Sequence, residues 1–329
     1  MPQKVNARRR QLLTATAMCS IGSLLPLSAR AADDKILIGY WPIAAGLPFY
    51  LALENGFFKE AGLNVEAVRF ASPSQIAEAM VAGRIHGSAN GTASAALGLA
   101  EIVSPGLLKI VCSNPSNYKH VLDEFLVPID STVKSLKDLK GKKIACGPGI
   151  QNVVLTKIML EKNGITDVTP IELPVGQHVP ALAAGQIDAV YTLEPTGTVG
   201  TIKKLTRVLE TGVISKYVLD DPEAPWFGGT ASVTTTLIKE RPEAVRKYVA
   251  AYAKGVDYVQ KNPDQARQAM EKYTSIDKEI AQAVPLANFV MYNQFTDYDI
   301  AAFQKFFDVF TDKKIFTQKV DVKSLMYAG

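Results

Sequence analysis

The chain has 329 residues, 36 of them Lys or Arg and 32 Asp or Glu, and 47% of its composition is hydrophobic. Five of the basic residues (Lys4, Arg8, Arg9, Arg10 and Arg30) and none of the acidic ones lie in the first 31 positions, so the remaining 298 residues carry 31 basic and 32 acidic side chains, net −1. That balance leaves no basic arm or stripe for nucleic acid or an anionic membrane. Beyond position 31 only Cys112 and Cys146 are left, too few for a disulfide scaffold, so an apolar core has to carry the stability.

Positions 1–31 read as a cleavable export signal. Arg8-Arg9-Arg10 precede Gln11-Leu12-Leu13 and a weakly apolar run, and Ala29-Arg30-Ala31 is a small-x-small cleavage site before Ala32. The paired arginines, the low hydrophobicity of the run and the basic Arg30 resemble a twin-arginine signal, with ordinary secretion as the alternative. Gln11, Thr14, Thr16 and Pro26 argue against a membrane anchor, and Met18 before Cys19 argues against lipidation. The expected location is the periplasm.

Short apolar strands then alternate with helical patterns, which predicts mostly parallel sheets covered by helices. Strand "KILIGY" leads to a helix "PFYLALEN" with Pro48 at its start and Gly56 at its close. After strand "NVEAVRF", Ser72-Pro73-Ser74-Gln75 combines a cap residue, a proline at the first helical position and a Gln placed to complete a capping box. The helix it opens ends at Gly83, before strand "RIHGSAN".

The second half echoes the first. "KKIACG" matches "KILIG", "VVLTKIMLEKNG" matches "FYLALENG", strand "VTPIEL" follows, and "PALAAGQIDAVYT" repeats the pattern of "EAMVAGRIHGSAN" 102 positions later. Two copies of one β-α-β-α-β module imply two similar lobes: 32–120 and 229–329 forming the first, and 121–228 the second. The polar, Pro-containing stretches "NPSNYKHVLDE" and "DDPEAPWFGG" are the expected crossings, and together they would make a hinge. After the second crossing the chain turns helical, with Val245, Tyr248, Val249, Tyr252, Val256 and Val259 on one face and a later stripe of Ile300, Phe303, Phe307 and Phe310, both read as packing onto the first lobe.

No motif assembles a catalytic centre. "CGPGIQN" has the strand-to-helix setting of a dinucleotide fingerprint, but Asn152 stands where the third glycine belongs. His86, His120 and His178 have no partner at a metal-site interval, and the two Ser-x-x-Lys matches at Ser116 and Ser131 open no clear helix. No cofactor and no metal are expected.

In open parallel sheets, ligands collect beyond the carboxyl ends of the strands. This places Tyr40, Trp41, Ser72, Gln75, Asn90 and Thr92 on one rim, and Gln151, Asn152, His178, Thr192 and Glu194 on the other, with Trp226 at the second crossing. The alternative for Ser72 and Gln75 is a plain capping box; for His178, a solvated loop position; for Trp41 and Trp226, packing between the lobes.

The runs "LPFYLALENGFFKEAGLNVE", "AMVAGRIHGSANG", "SLKDLKGKKIA", "ALAAGQIDAVYTLEP" and "RPEAVRKYVAAYAKG" resemble the nitrate/sulfonate/taurine class of periplasmic solute-binding proteins, which includes binders of thiamine-pyrimidine precursors. The resemblance implies the type II periplasmic-binding fold, an α/β architecture of two lobes with a two-crossing hinge. It also implies a monomer that traps a small solute in the cleft and delivers it to an ABC permease and its ATPase. The chain departs from the class at His86, where relatives carry Asp, and at Leu193-Glu194-Pro195, where relatives place Trp before the acid. A related branch consists of pyrimidine synthases with clustered cysteines, a feature this chain lacks. A binding protein is the leading reading. A heteroaromatic binder or such an enzyme is the alternative.

Overall fold

The computed structural model describes residues 34–329, and the export signal read from the first positions lies outside the described residues. In chain order the strands are β1 (Lys35–Tyr40), β2 (Asn64–Arg69), β3 (Gly87–Ala93), β4 (Leu108–Ser113), β5 (Asp123–Pro128), β6 (Ile144–Cys146), β7 (Ile171–Glu172), β8 (Ala189–Leu193), β9 (Thr206–Thr211), β10 (Gly229–Thr234) and β11 (Val290–Met291). They form two sheets, ordered β11-β4-β10-β3-β1-β2 and β7-β6-β8-β5-β9.

The two sheets share one plan. β1 pairs in parallel with β2 and β3, as β6 does with β7 and β8. Next to each trio lies an antiparallel strand, β10 beside β3 and β5 beside β8. The expectation of mostly parallel sheets therefore holds for each trio only. β10 and β5 are the strands that follow the two crossings, so each enters its sheet from the other side and runs the opposite way.

The repeated Ala-Gly-x-Ile unit is a helix stop feeding the third strand of each trio. Gly83 and Gly185 both sit at φ 66°, a left-handed turn that costs a residue with a Cβ about 1 kcal/mol or more. The next N–H then reaches back to close the helix, Arg84 to the Ala79 carbonyl at 2.8 Å and Gln186 to that of Ala181 at 3.0 Å.

The helix Pro242–Lys261 buries Val245, Tyr248, Val249, Tyr252, Val256 and Val259 and lies along the helix Leu47–Glu54. Gly255 permits the approach, because a Cβ there would come within 2.3 Å of the Pro48 carbonyl oxygen. In the helix Asp297–Asp312, Phe303 stacks on Phe227 with centroids 5.1 Å apart and Phe306 tilts against Trp226 at 5.9 Å. Among the described residues no helix is long and apolar enough to cross a membrane.

The connectors between the sheets run side by side. Ser116 and Trp226 exchange both main-chain hydrogen bonds, at 3.1 and 3.0 Å, as an antiparallel bridge outside either sheet.

Candidate functional site

Where the sheets face each other, a cavity of about 10 Å³ is left, room for about one water molecule. Its wall comes from both sheets and the connectors. Trp41 and Ile43 follow β1, Gly91 and Ala93 belong to β3, and Leu122 precedes β5. Gln151 and Asn152 open the helix Ile150–Lys162, Leu193 ends β8, and Trp226, Gly228 and Gly229 come from the second crossing and the start of β10. None of these side chains is charged.

Behind Gly91 lies a buried amide network. Tyr252 Oη donates to Asn90 Oδ1 at 2.6 Å and accepts the Asn90 main-chain N–H at 3.1 Å. Asn90 Nδ2 donates to Asn114 Oδ1 at 3.4 Å, and the Gly91 N–H donates to the same oxygen at 3.2 Å. Among the buried polar atoms of the described residues that have no partner in the protein are two N–H donors near the cavity, Asn114 Nδ2 and Trp41 Nε1. A buried donor without a partner costs roughly 1–3 kcal/mol, so Trp41 Nε1 on the wall and Asn114 Nδ2 in the network behind it are two donors left for an added acceptor.

Gln151 ties the two sides together. Its Oε1 accepts the Ala95 N–H at 2.9 Å and its Nε2 donates to the Gly228 carbonyl at 2.8 Å, both groups belonging to the other side of the cavity. Ala44 N–H to the Glu194 carbonyl, at 2.9 Å, is a second link. Asn152 Nδ2 donates to Pro148 O at 3.1 Å, and Trp226 Nε1 donates to Asp123 Oδ1 at 2.9 Å.

Of the twelve residues read as rim candidates, the structure brings Trp41, Gln151, Asn152 and Trp226 to the cavity wall, with Asn90 directly behind it. The others are used elsewhere. Tyr40 packs edge-on against Tyr50 and Tyr273, at 5.7 and 5.6 Å between centroids. Ser72 and Gln75 form the capping arrangement, Ser72 Oγ accepting the Gln75 N–H and Gln75 Oε1 the Ala71 N–H. Thr92 Oγ1 donates to the Ala89 carbonyl.

His178, read as a rim residue with a solvated loop position as the alternative, is neither: it is the fully buried first residue of a helix and does not line the cavity. Its Nε2 lies 2.9 Å from the Leu173 carbonyl and its Nδ1 2.8 Å from Thr192 Oγ1, so the carbonyl takes the ring proton and the threonine hydroxyl donates to the other nitrogen. Both side chains are satisfied inside the second sheet's layer. Burial lowers the ring's pKa to about 4, and the ring is neutral. Thr192 alternates with Leu193 along β8, so the leucine and not the threonine reaches the cavity. Glu194 is likewise corrected. Its carboxylate accepts Thr198 N–H at 3.1 Å and Thr198 Oγ1–H at 3.0 Å, at the start of the following helix Thr196–Ile202, and it does not line the cavity.

Reading along the chain missed Asn114 and Tyr252. Asn114 sits in the first crossing and Tyr252 in a helical stripe that reads as core. Cys112 and Cys146 are free and buried in different sheets, and burial pushes both thiols up to about 12. Among the described residues no cluster of His, Cys, Asp or Glu is arranged to hold a metal.

A Bacillus subtilis protein named as an aliphatic sulfonates-binding protein is 27% identical over 286 residues, 85% of this chain and 82% of that one. A 4-amino-5-hydroxymethyl-2-methylpyrimidine phosphate synthase of Saccharomyces cerevisiae is 24% identical over 248 residues, 71% of this chain and 69% of the synthase. Among solved structures, the alkanesulfonate-binding protein from Xanthomonas axonopodis pv. citri, bound to MOPS, superposes with a TM-score of 0.71 at 20% identity, over 89% of this chain and 98% of that one. The fold is the type II periplasmic-binding fold. A profile of the NMT1/THI5-like family matches residues 45–266, and the chain belongs to that family.

Proposed function

We propose that this chain is the solute-binding component of an ABC importer. Its lobes, 32–120 with 229–329 and 121–228, close on a small solute in the cleft and present it, as a monomer in the periplasm, to a permease and its ATPase. The solute is of the sulfonate, taurine or nitrate type. The observation that carries this reading is the cavity wall: it has no charged side chain, and the residues in and behind it include two buried N–H donors without partners, Trp41 Nε1 and Asn114 Nδ2. An oxyanion brings only acceptors, and fixed neutral dipoles solvate it without a counter-charge. Gln151 and Asn152 add the first turn of a 13-residue helix, whose dipole favours the same charge. With Glu194 committed to its helix cap, no carboxylate on the wall opposes an anion.

The relative from Bacillus subtilis named for aliphatic sulfonates and the MOPS-bound neighbour support this solute class. The relation to the yeast synthase keeps the pyrimidine reading in the comparison, and the two indoles on the wall, Trp41 and Trp226, are flat surfaces that would suit a heteroaromatic ring. A cavity of about 10 Å³ is far smaller than any of these solutes, so entry requires the lobes to part.

A thermal-shift screen of the processed protein with ethanesulfonate, taurine, nitrate and 4-amino-5-hydroxymethyl-2-methylpyrimidine tests the proposal. A true solute at 100 times its dissociation constant adds about 2.7 kcal/mol of stability. A shift with the pyrimidine alone replaces the solute class. No shift with any of them removes the reading.

A further inference from the structure

The hydrogen bonds behind the cavity run in one direction. The Gly91 N–H can only donate, which identifies the Asn114 atom it meets as oxygen and sets Asn90 Nδ2 toward it and Asn90 Oδ1 toward Tyr252 Oη, while the Asn90 main-chain N–H donates to that hydroxyl. Asn90 Nδ2 is therefore turned to Asn114, whose Oδ1 takes it together with the Gly91 N–H. With its oxygen engaged by Asn90 and Gly91, the fully buried Asn114 is left with an Nδ2 that has no partner. Reversing that amide would set an NH₂ against two other donors. Asn114 Oδ1 also lies over Gly229, where a Cβ would come within 2.7 Å of it, and Gly91 and Gly229 both line the cavity. Trp41, which does line the cavity, has an indole N–H that can only donate and has no partner either.

We infer that Asn114 determines the specificity of the cleft: its Nδ2 donates to an oxygen of the bound solute, with Trp41 Nε1 as the second donor. Tyr252, acting through Asn90, is the positioning residue that holds the amide in this sense. The inference rests on the reading of the cleft as the solute site. It adds the chemistry of one end of the solute: an oxyanion group with acceptors only, in contrast to an ammonium or an amide N–H, which would meet a donor.

The test is calorimetric titration of the processed protein with ethanesulfonate and with 4-amino-5-hydroxymethyl-2-methylpyrimidine, together with the melting temperature of each variant. Asn114→Asp keeps an oxygen for Gly91 and Asn90 and replaces the donor with a charged acceptor. Ethanesulfonate should then bind about 100-fold more weakly or worse. Tyr252→Phe frees the Asn90 amide to turn, and should weaken ethanesulfonate about tenfold while the ratio of sulfonate to pyrimidine affinity falls. A purely structural role would lower the melting temperature and leave that ratio unchanged, which overturns the inference. If Asn114→Asp does not fold, the ratio in Tyr252→Phe decides. Wild-type protein that binds ethanesulfonate as tightly as Asn114→Asp overturns the assignment of Asn114 and leaves the transport reading standing. Wild-type protein that binds the pyrimidine alone overturns the oxyanion end, and wild-type protein that binds neither takes both readings down together.

Discussion

Three carboxyl groups lie buried at one end of the second sheet. Glu124 is 1% exposed, its Oε1 has no partner, and a Cβ on Gly197 would come within 1.9 Å of that atom. Burial first, and then the neighbouring Glu194, hold the Glu124 carboxyl well above the usual range. Burial also raises Glu194 to about 7 and Asp123 to about 6, against the hydrogen bonds each accepts. A carboxyl raised in the folded state stabilises the protein below its unfolded range, and that contribution is lost as pH rises through the folded value. His178 acts with the opposite sign. Its folded pKa is about 4 against an ordinary 6.5, so the unfolded chain binds its proton first and stability falls on acidification through that window. From about pH 8 to 6.5 the carboxyls act alone, and the melting temperature should rise as the pH falls. Glu124→Gln should raise the melting temperature at pH 8 and flatten the profile. A wild-type profile that is level across that range in scanning calorimetry contradicts the account.

Legibility at this scale follows the distance over which a residue acts. The Ser72-to-Gln75 cap is a local pattern and was readable as one. Asn90 and Tyr252 meet across 162 positions, and nothing in an apolar helical stripe marks which of its tyrosines will meet an asparagine. Ring partners at Thr192 and Leu173 make His178 a core histidine, yet its neighbours Gly176 and Gln177 read as loop.

The elements were readable where they repeat. The Ala-Gly-x-Ile unit marks β3 and β8, because a left-handed glycine and an apolar strand start are needed at the same place in both sheets. β5 and β10 follow irregular crossings, and their antiparallel direction depends on which sheet the chain re-enters, a matter of topology that no local pattern records. The packing of the helix Pro242–Lys261 on Leu47–Glu54 depends on the missing side chain at Gly255. Gly255→Val should therefore force the helices apart and cost about 1–3 kcal/mol by urea titration. An unchanged midpoint would show that the helices are not in contact there.

For the whole molecule, closure is held in part by Gln151, whose amide bonds to Ala95 and Gly228 across the cavity. Two neutral hydrogen bonds at about 1 kcal/mol each amount to roughly a 30-fold bias toward the closed arrangement. Gln151→Ala should enlarge the radius of gyration of the solute-free protein in X-ray scattering and weaken any solute that requires closure. Identical scattering curves for variant and wild type would assign closure to other contacts.

The chain has two tryptophans, and both line the cavity, Trp41 from the first sheet's side and Trp226 from the paired connectors. Every indole in the protein thus sits where water is excluded when the halves meet and admitted when they separate. Intrinsic emission excited at the indole band has no background from the rest of the fold, so its colour reads the state of the cleft directly, with no label attached.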